Sequence, residues 1–146
     1  MRGVYVGGLR NTSVSVLKTL AQINVASTCA VQVFEIRMSF FTTASQSIRL
    51  RISKRTSAGA GTPFTPVRKS GAPTALSAMT VDHTAEGGLG DVLYDQAINL
   101  VTGMNRLEIP EGRVDLAPGD RLAVDFPDNP TSAVITWCEI EFNEIG

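Results

Sequence analysis

The chain has 146 residues, with 13 lysines and arginines against 14 aspartates and glutamates, one histidine and two cysteines. That length suits one domain with a proper core, and a net charge of −1 gives no global field for nucleic acid or an anionic membrane, so neither partner is expected. The first residues hold no apolar run of signal-peptide length, and nothing downstream approaches about 18 uninterrupted apolar residues; folding in a cytoplasm is expected, without export or membrane insertion.

Residues 1–11 are rich in glycine (Gly3, Gly7, Gly8) and alternate only at Val4 and Val6, which reads as an extended N-terminal arm ahead of a domain spanning 12–146. Residues 12–25 fit a strand through Val14 and Val16 or a helix face through Val16, Leu20 and Ile23; β-branched content favours the strand. Small residues 26–30 make a turn. Then comes the clearest pattern in the chain. Phe34, Ile36, Met38 and Phe40 alternate with Glu35, Arg37 and Ser39, and Ile48, Leu50 and Ile52 alternate with Ser47, Arg49, Arg51 and Ser53. The short polar link 42–46 predicts a hairpin with one wholly apolar face. Burying that face contributes on the order of 10–20 kcal/mol before entropy, while Glu35, Arg37, Arg49 and Arg51 read as a solvated, ion-paired surface, a contact surface for a partner being the alternative.

From Lys54 the composition changes to glycine and proline (Gly59, Gly61, Pro63, Pro66, Gly71, Pro73), a long crossing connection in which short strands near 64–67 and 75–81 are expected. The loop Glu86-Gly87-Gly88-Leu89-Gly90-Asp91 precedes a strand at 92–101. Further strands are expected at 105–109, closed by Pro110-Glu111-Gly112, and at 114–116. Ala117-Pro118-Gly119-Asp120 has the proline and glycine of a type II turn. Leu122, Val124 and Phe126 resume alternation, Pro127-Asp128-Asn129-Pro130 stops it, and 132–145 forms the last strand. There Val134, Cys138, Ile140 and Phe142 line one side and Ile135, Trp137, Glu139 and Glu141 the other. The fold class is all-β, a single-domain β-sandwich of about eight to ten strands, with long crossings that favour Greek-key or jelly-roll winding.

Little in the chain points to chemistry. His83 stands beside Asp82 and Glu86, too few convergent ligands for a metal site, and no nucleophile-elbow pattern accompanies it. The glycine runs at 58–62 and 87–90 lack the lysine and helix start of a phosphate loop and read as turns. Cys138 falls on the apolar side of its strand as a small hydrophobe. Two cysteines are too few for a disulfide scaffold; a reducing compartment leaves both as thiols, a single Cys29–Cys138 bridge being the alternative. No enzyme activity, cofactor, metal or small-molecule substrate is expected. Trp137 faces away from Cys138, where tryptophan covers a barrel end or meets another subunit. Lys54-Arg55 and Arg68-Lys69 are too short for a nucleic-acid groove.

Several segments together resemble the small jelly-roll decoration, or cement, proteins of tailed-phage heads. They are Val33-Phe34-Glu35-Ile36-Arg37; Arg49-Leu50-Arg51-Ile52 running into Thr56-Ser57-Ala58-Gly59-Ala60-Gly61-Thr62-Pro63 and Thr65-Pro66; Asp95-Gln96-Ala97-Ile98-Asn99; Leu116-Ala117-Pro118-Gly119-Asp120-Arg121-Leu122; and Glu139-Ile140-Glu141-Phe142-Asn143-Glu144-Ile145-Gly146. Met104-Asn105 departs from the pattern, which has an aromatic ahead of the Pro110-Glu111-Gly112 turn. The resemblance implies a structural virion protein made in a bacterial cytoplasm, a homotrimer, and binding to the major capsid protein on the outer capsid surface. The rival from another class is a fibre, tail or carbohydrate-binding β-sandwich module. Loops on a rigid scaffold commonly carry binding, so the arm and the connection 57–73 are the expected contact regions. The candidate partner-binding residues are Tyr5, Arg10, Arg55, Phe64, Arg68 and Trp137.

Overall fold

The computed structural model describes residues 2–42, 45–69, 71–101, 104–107 and 112–146, the stretch 104–107 by its backbone alone. Among them are twelve strands and no α-helix: β1 Gly3–Val14, β2 Lys18–Asn24, β3 Ala30–Phe41, β4 Ser47–Arg55, β5 Ala60–Phe64, β6 Val67–Arg68, β7 Ala78–Ala85, β8 Leu89–Asn99, β9 Met104–Leu107, β10 Val114–Leu116, β11 Arg121–Phe126 and β12 Val134–Ile145. They form two antiparallel sheets. The first runs β10-β3-β12-β1-β6, with β9 also on the outer edge of β3, and the second runs β5-β7-β2-β11-β4-β8. One core of apolar side chains from both sheets lies between them, with Tyr5, Phe126, Phe142, Leu20, Ile23, Leu50 and Leu122 fully buried.

The pairing is nested. β1 pairs with β12, β2 with β11, β3 with β9 and β10, and β4 with β8. The first half of the chain therefore runs antiparallel to the second, and successive pairs alternate between the sheets.

This arrangement corrects the expected hairpin of residues 31–53, because β3 and β4 lie in opposite sheets. Its link crosses between them, with Thr43 and Ala44 outside the described residues. Alternation records which face of a strand is buried, not whether the next strand lies beside it or opposite. A five-residue link spans the roughly 10 Å between packed sheets as readily as it closes a hairpin. Ile36 and Met38 on one side, and Ile48, Leu50 and Ile52 on the other, are buried as the alternation requires. Phe34 is not. Glu141 faces Glu35 while Phe142 faces Val33, so Phe34 is the extra residue of a β-bulge. Val31 and Val33 take the buried face, and the Arg113 guanidinium lies 4.4 Å from the Phe34 ring centroid.

Residues 1–11, expected as an arm, are extended, but from Gly3 they belong to β1, between β12 and β6. The inward positions are Tyr5, Gly7 and Leu9, and the two glycines at positions 7 and 8 hide the period. Gly8 has φ +156°, and a Cβ there would collide with the Cys138 carbonyl on β12. Residues 12–25 divide into the end of β1 and β2, separated at 15–17. The expected type II turn has Gly119 at φ +85° and an Asp120 N–H donating to the Ala117 carbonyl at 3.0 Å. Ile109, Pro110 and Glu111 lie outside the described residues. Cys29 and Cys138 are free and buried, and burial pushes the Cys138 thiol well above its ordinary value.

Candidate functional site

The outer face of the second sheet is covered by this chain itself. Thr19, Gln22, Ser53, Arg55 and Asp125 point away from the core yet are buried, because the two glycine-rich loops cross over them. The Gln22 amide donates to the Ala58 carbonyl at 2.9 Å, and the Arg55 guanidinium donates to the Gly87 carbonyl at 3.1 Å. Glu86 reaches back to accept from the Thr19 N–H at 2.7 Å and from the Thr19 hydroxyl. Glycine is needed where the loops touch: Gly59 has φ +65°, and a Cβ there would lie 2.5 Å from the Ala85 carbonyl oxygen. Beneath them Asp125 holds two guanidiniums, Arg51 at 2.6 Å and Arg55 at 3.1 Å. His83 is buried at the edge of this layer, its Nε2 2.8 Å from the Thr80 hydroxyl. Burial pushes its pKa down, with the Arg55 charge acting in the same direction.

The outer face of the first sheet is open. Glu139 on β12 accepts from Arg10 at 3.0 Å and Arg37 at 3.3 Å, and Glu141 takes Lys69 at 3.0 Å. Trp137, half-buried, shares this face opposite Ser39. At the side of the molecule Arg10 lies over the half-buried Phe64 ring, 5.9 Å from its centroid. Arg68 on β6 is exposed and donates to the Ala72 carbonyl at 2.9 Å.

Two of the six candidate contact residues are corrected by burial. Tyr5 is fully buried, its ring 5.6 Å from Phe142 and its hydroxyl donating to the Pro73 carbonyl at 2.9 Å. It anchors the long connection from within. Arg55 is buried beneath the loops and binds Asp125 rather than a partner. The other four stay accessible. Arg10 and Phe64 are in contact, Arg68 lies on the same side of the sandwich, and Trp137 stands beside Glu139, the carboxylate that Arg10 engages.

Leu76 and Ser77 ahead of β7 are fixed by Glu144, a buried carboxylate that accepts from the Ser77 N–H at 2.7 Å and the Leu76 N–H at 3.1 Å. Nothing in its alternating neighbourhood marks it as a tether. An open cleft of about 510 Å³ at the other end of the sheets is lined by Val31, Leu116, Pro118 and Ile145, together with Lys54 and Asp120, which pair at 3.4 Å. Among the described residues no three His, Cys, Asp or Glu side chains converge as a metal site would require.

The sequence pattern predicts an ordinary strand at 92–101, whereas β8, Leu89–Asn99, is an exposed strand at the end of its sheet. Ile98 is its only buried residue, and Leu89, Val92 and Leu93 are 49%, 46% and 41% exposed. The available signal was the loss of apolar alternation across Asp91-Val92-Leu93-Tyr94-Asp95-Gln96-Ala97. Comparison of the chain with family models, with curated proteins and with solved structures gives no match.

Proposed function

We propose that this chain is a structural virion protein with jelly-roll winding, a decoration or cement protein that binds the outer surface of a tailed-phage head. The observation that carries the reading is the nested pairing of β1 with β12, β2 with β11, β3 with β9 and β10, and β4 with β8, alternate pairs falling in alternate sheets. A long antiparallel ribbon rolled up on itself has this order, and it is the winding the resemblance implies. The resembling segments fall on β3, on β4 and the loop after it, on β8, on the β10–β11 turn and on β12. The contact surface in this reading is the side carrying Arg10, Phe64 and Arg68, together with the proline-rich 63–73 connection, whose Pro73 carbonyl accepts from the Tyr5 hydroxyl.

A cement works by adding contact area across joints between coat subunits, so that separating them also loses the cement contacts. The protein should co-sediment with mature expanded heads in preference to isolated coat protein, and should raise the temperature at which heads rupture. The double variant Phe64→Asp, Arg68→Glu should lose head binding while keeping the β circular-dichroism spectrum. A protein that ignores heads but is retained on a glycan surface overturns the reading in favour of a carbohydrate-binding module.

A further inference from the structure

The layer beneath the glycine-rich loops bonds most of its polar atoms but not all of them. Gln22, fully buried, spends both protons of its amide, one on the Ala58 carbonyl at 2.9 Å and one on Asn24 Oδ1 at 2.8 Å, and its Oε1 stays unbonded. Ser53 is fully buried with its hydroxyl unbonded. Arg55, 6% exposed, donates from one terminal nitrogen to the Gly87 carbonyl and sets the other 3.1 Å from Asp125, which leaves its Nε–H without an acceptor. None of these three atoms has a hydrogen-bond partner among the described residues. Such atoms are rare in folded proteins, because losing water without gaining another bond is costly.

The sheet register places them together. Ala123 on β11 faces Gln22 on β2 at one side and Ser53 on β4 at the other, so the three form one row across the outer face. Arg55 lies two residues beyond Ser53, and its partner Asp125 lies two residues from Ala123 in the opposite direction, across from Arg51. The Arg55 side chain therefore crosses the row to reach its carboxylate. Ala123, between the unbonded atoms, is buried apart from the core cluster and supplies only a methyl group.

We propose that this row binds a water molecule over Ala123, which donates to Gln22 Oε1, accepts from Arg55 Nε–H and makes its third bond with the Ser53 hydroxyl. The donor set selects the ligand. Gln22 Oε1 only accepts, Arg55 Nε–H only donates and a hydroxyl does either, so the ligand must donate and accept at once. A metal cation would meet the Arg55 proton, and an anion would meet the Gln22 oxygen. The charges of the layer also balance, Arg51 and Arg55 against Asp125 and Glu86, so no net field draws an ion. Water is the smallest molecule that both donates and accepts, and buried waters typically make about three bonds to polar groups of this kind. The bound water ties Gln22, which holds one loop at Ala58, to Arg55, which holds the other at Gly87.

A high-resolution crystal structure should show one ordered water within about 3.2 Å of Gln22 Oε1, Ser53 Oγ and Arg55 Nε. Water relaxation dispersion gives the matching test in solution, since it counts molecules held for longer than the protein takes to tumble. Ala123→Val, a β-branched side chain suited to a strand, puts methyl groups in the water's place. The dispersion amplitude should then fall by about one water, from a total on the order of five for a chain of this length. The urea midpoint should fall with it, because Gln22 Oε1 and Arg55 Nε–H lose their bond. A crystal in which the three atoms bond to other protein groups, to an ion or to nothing overturns the proposal, as does an amplitude that Ala123→Val leaves unchanged. The crystal reading uses the parent chain and stands even if Ala123→Val fails to fold. Neither readout involves phage heads, so the outcome is separate from that of the functional reading.

Discussion

The outer faces of the two sheets are built from the same kinds of side chain, alternating arginines and carboxylates, and use them in opposite ways. On the second sheet the glycine-rich loops close over the layer, leaving the side chains of Arg55 and Asp125 only 2% and 1% exposed. On the first sheet no loop among the described residues covers the layer, and Arg10 and Arg37 remain 48% and 42% exposed beside Glu139. A charge taken out of water must be held by partners, and Asp125 has a two-pronged hydrogen bond from Arg51 and an ion pair with Arg55 at 3.1 Å. A charge left in water gains little from a partner. The covered face is therefore a constraint on folding, and the open face is free to vary or to meet something else.

The largest test of that contrast is Asp125→Ala. It removes the anion between Arg51 and Arg55 and leaves the buried Arg55 guanidinium beside another cation. Breaking a buried pair in this way costs about 3–5 kcal/mol, against a total stability of about 5–15 kcal/mol for a domain. Urea denaturation should show a midpoint shift of that size with the slope unchanged. A loss below about 1 kcal/mol, the range of exposed pairs, would show that the loops admit water and that the two faces do not differ.

The contrast also marks where sequence reading ends. Period-two alternation located Ile36, Met38, Ile48, Leu50, Ile52, Cys138, Ile140 and Phe142 on buried faces, because inward-facing residues in a sandwich must be apolar whatever the topology. It carries no information on which strands are neighbours, so it predicts a hairpin where β3 and β4 lie in opposite sheets. The same blindness hid the buried charges. Arg49, Arg51 and Arg55 occupy equivalent outward positions on β4, and only the long-range crossing of Gly87 over Arg55 separates a buried guanidinium from a solvated one. The alternation that Tyr5 belongs to is hidden by Gly7, whose inward Cβ would meet Met79 and Phe64, and by Gly8, whose Cβ would meet the Cys138 carbonyl on β12. Four of the six candidate contact residues are accessible, and Arg10 lies over Phe64; the β8 edge is marked in the sequence only by the loss of the apolar alternation that buried strands show.

An intermediate effect should appear with acid. His83 belongs to the covered layer, and its folded pKa lies below the ordinary 6.5, first through burial, with Arg55 acting the same way and the Ala85 backbone, Glu86 and Asp82 opposing. The unfolded chain therefore takes up the proton first. The contribution of neutral His83 is fully present above pH of about 6.5 and is lost as pH falls from there through the folded pKa. Denaturation midpoints measured from pH 7.5 to 5 should decline, and His83→Gln should flatten the part of the decline that begins near the histidine range. An unchanged slope in the variant would assign the decline to other groups and detach His83 from the loop-covered layer.

The smallest effect belongs to the open face. Glu139 receives hydrogen bonds from Arg10 at 3.0 Å and Arg37 at 3.3 Å, which on a contact map resembles the double engagement of Asp125. The difference is water, which screens the attraction and solvates each partner as well as the other does. Glu139→Gln keeps the shape and an acceptor while removing the charge, so the stability loss should stay within about 1 kcal/mol. It should shrink further in 1 M salt, where the screening length falls to about 3 Å. Urea denaturation at low and high salt reads both quantities. A loss comparable to that of Asp125→Ala, insensitive to salt, would mean that the face carrying Glu139 and Trp137 is shielded from water in solution and that the two faces do not differ.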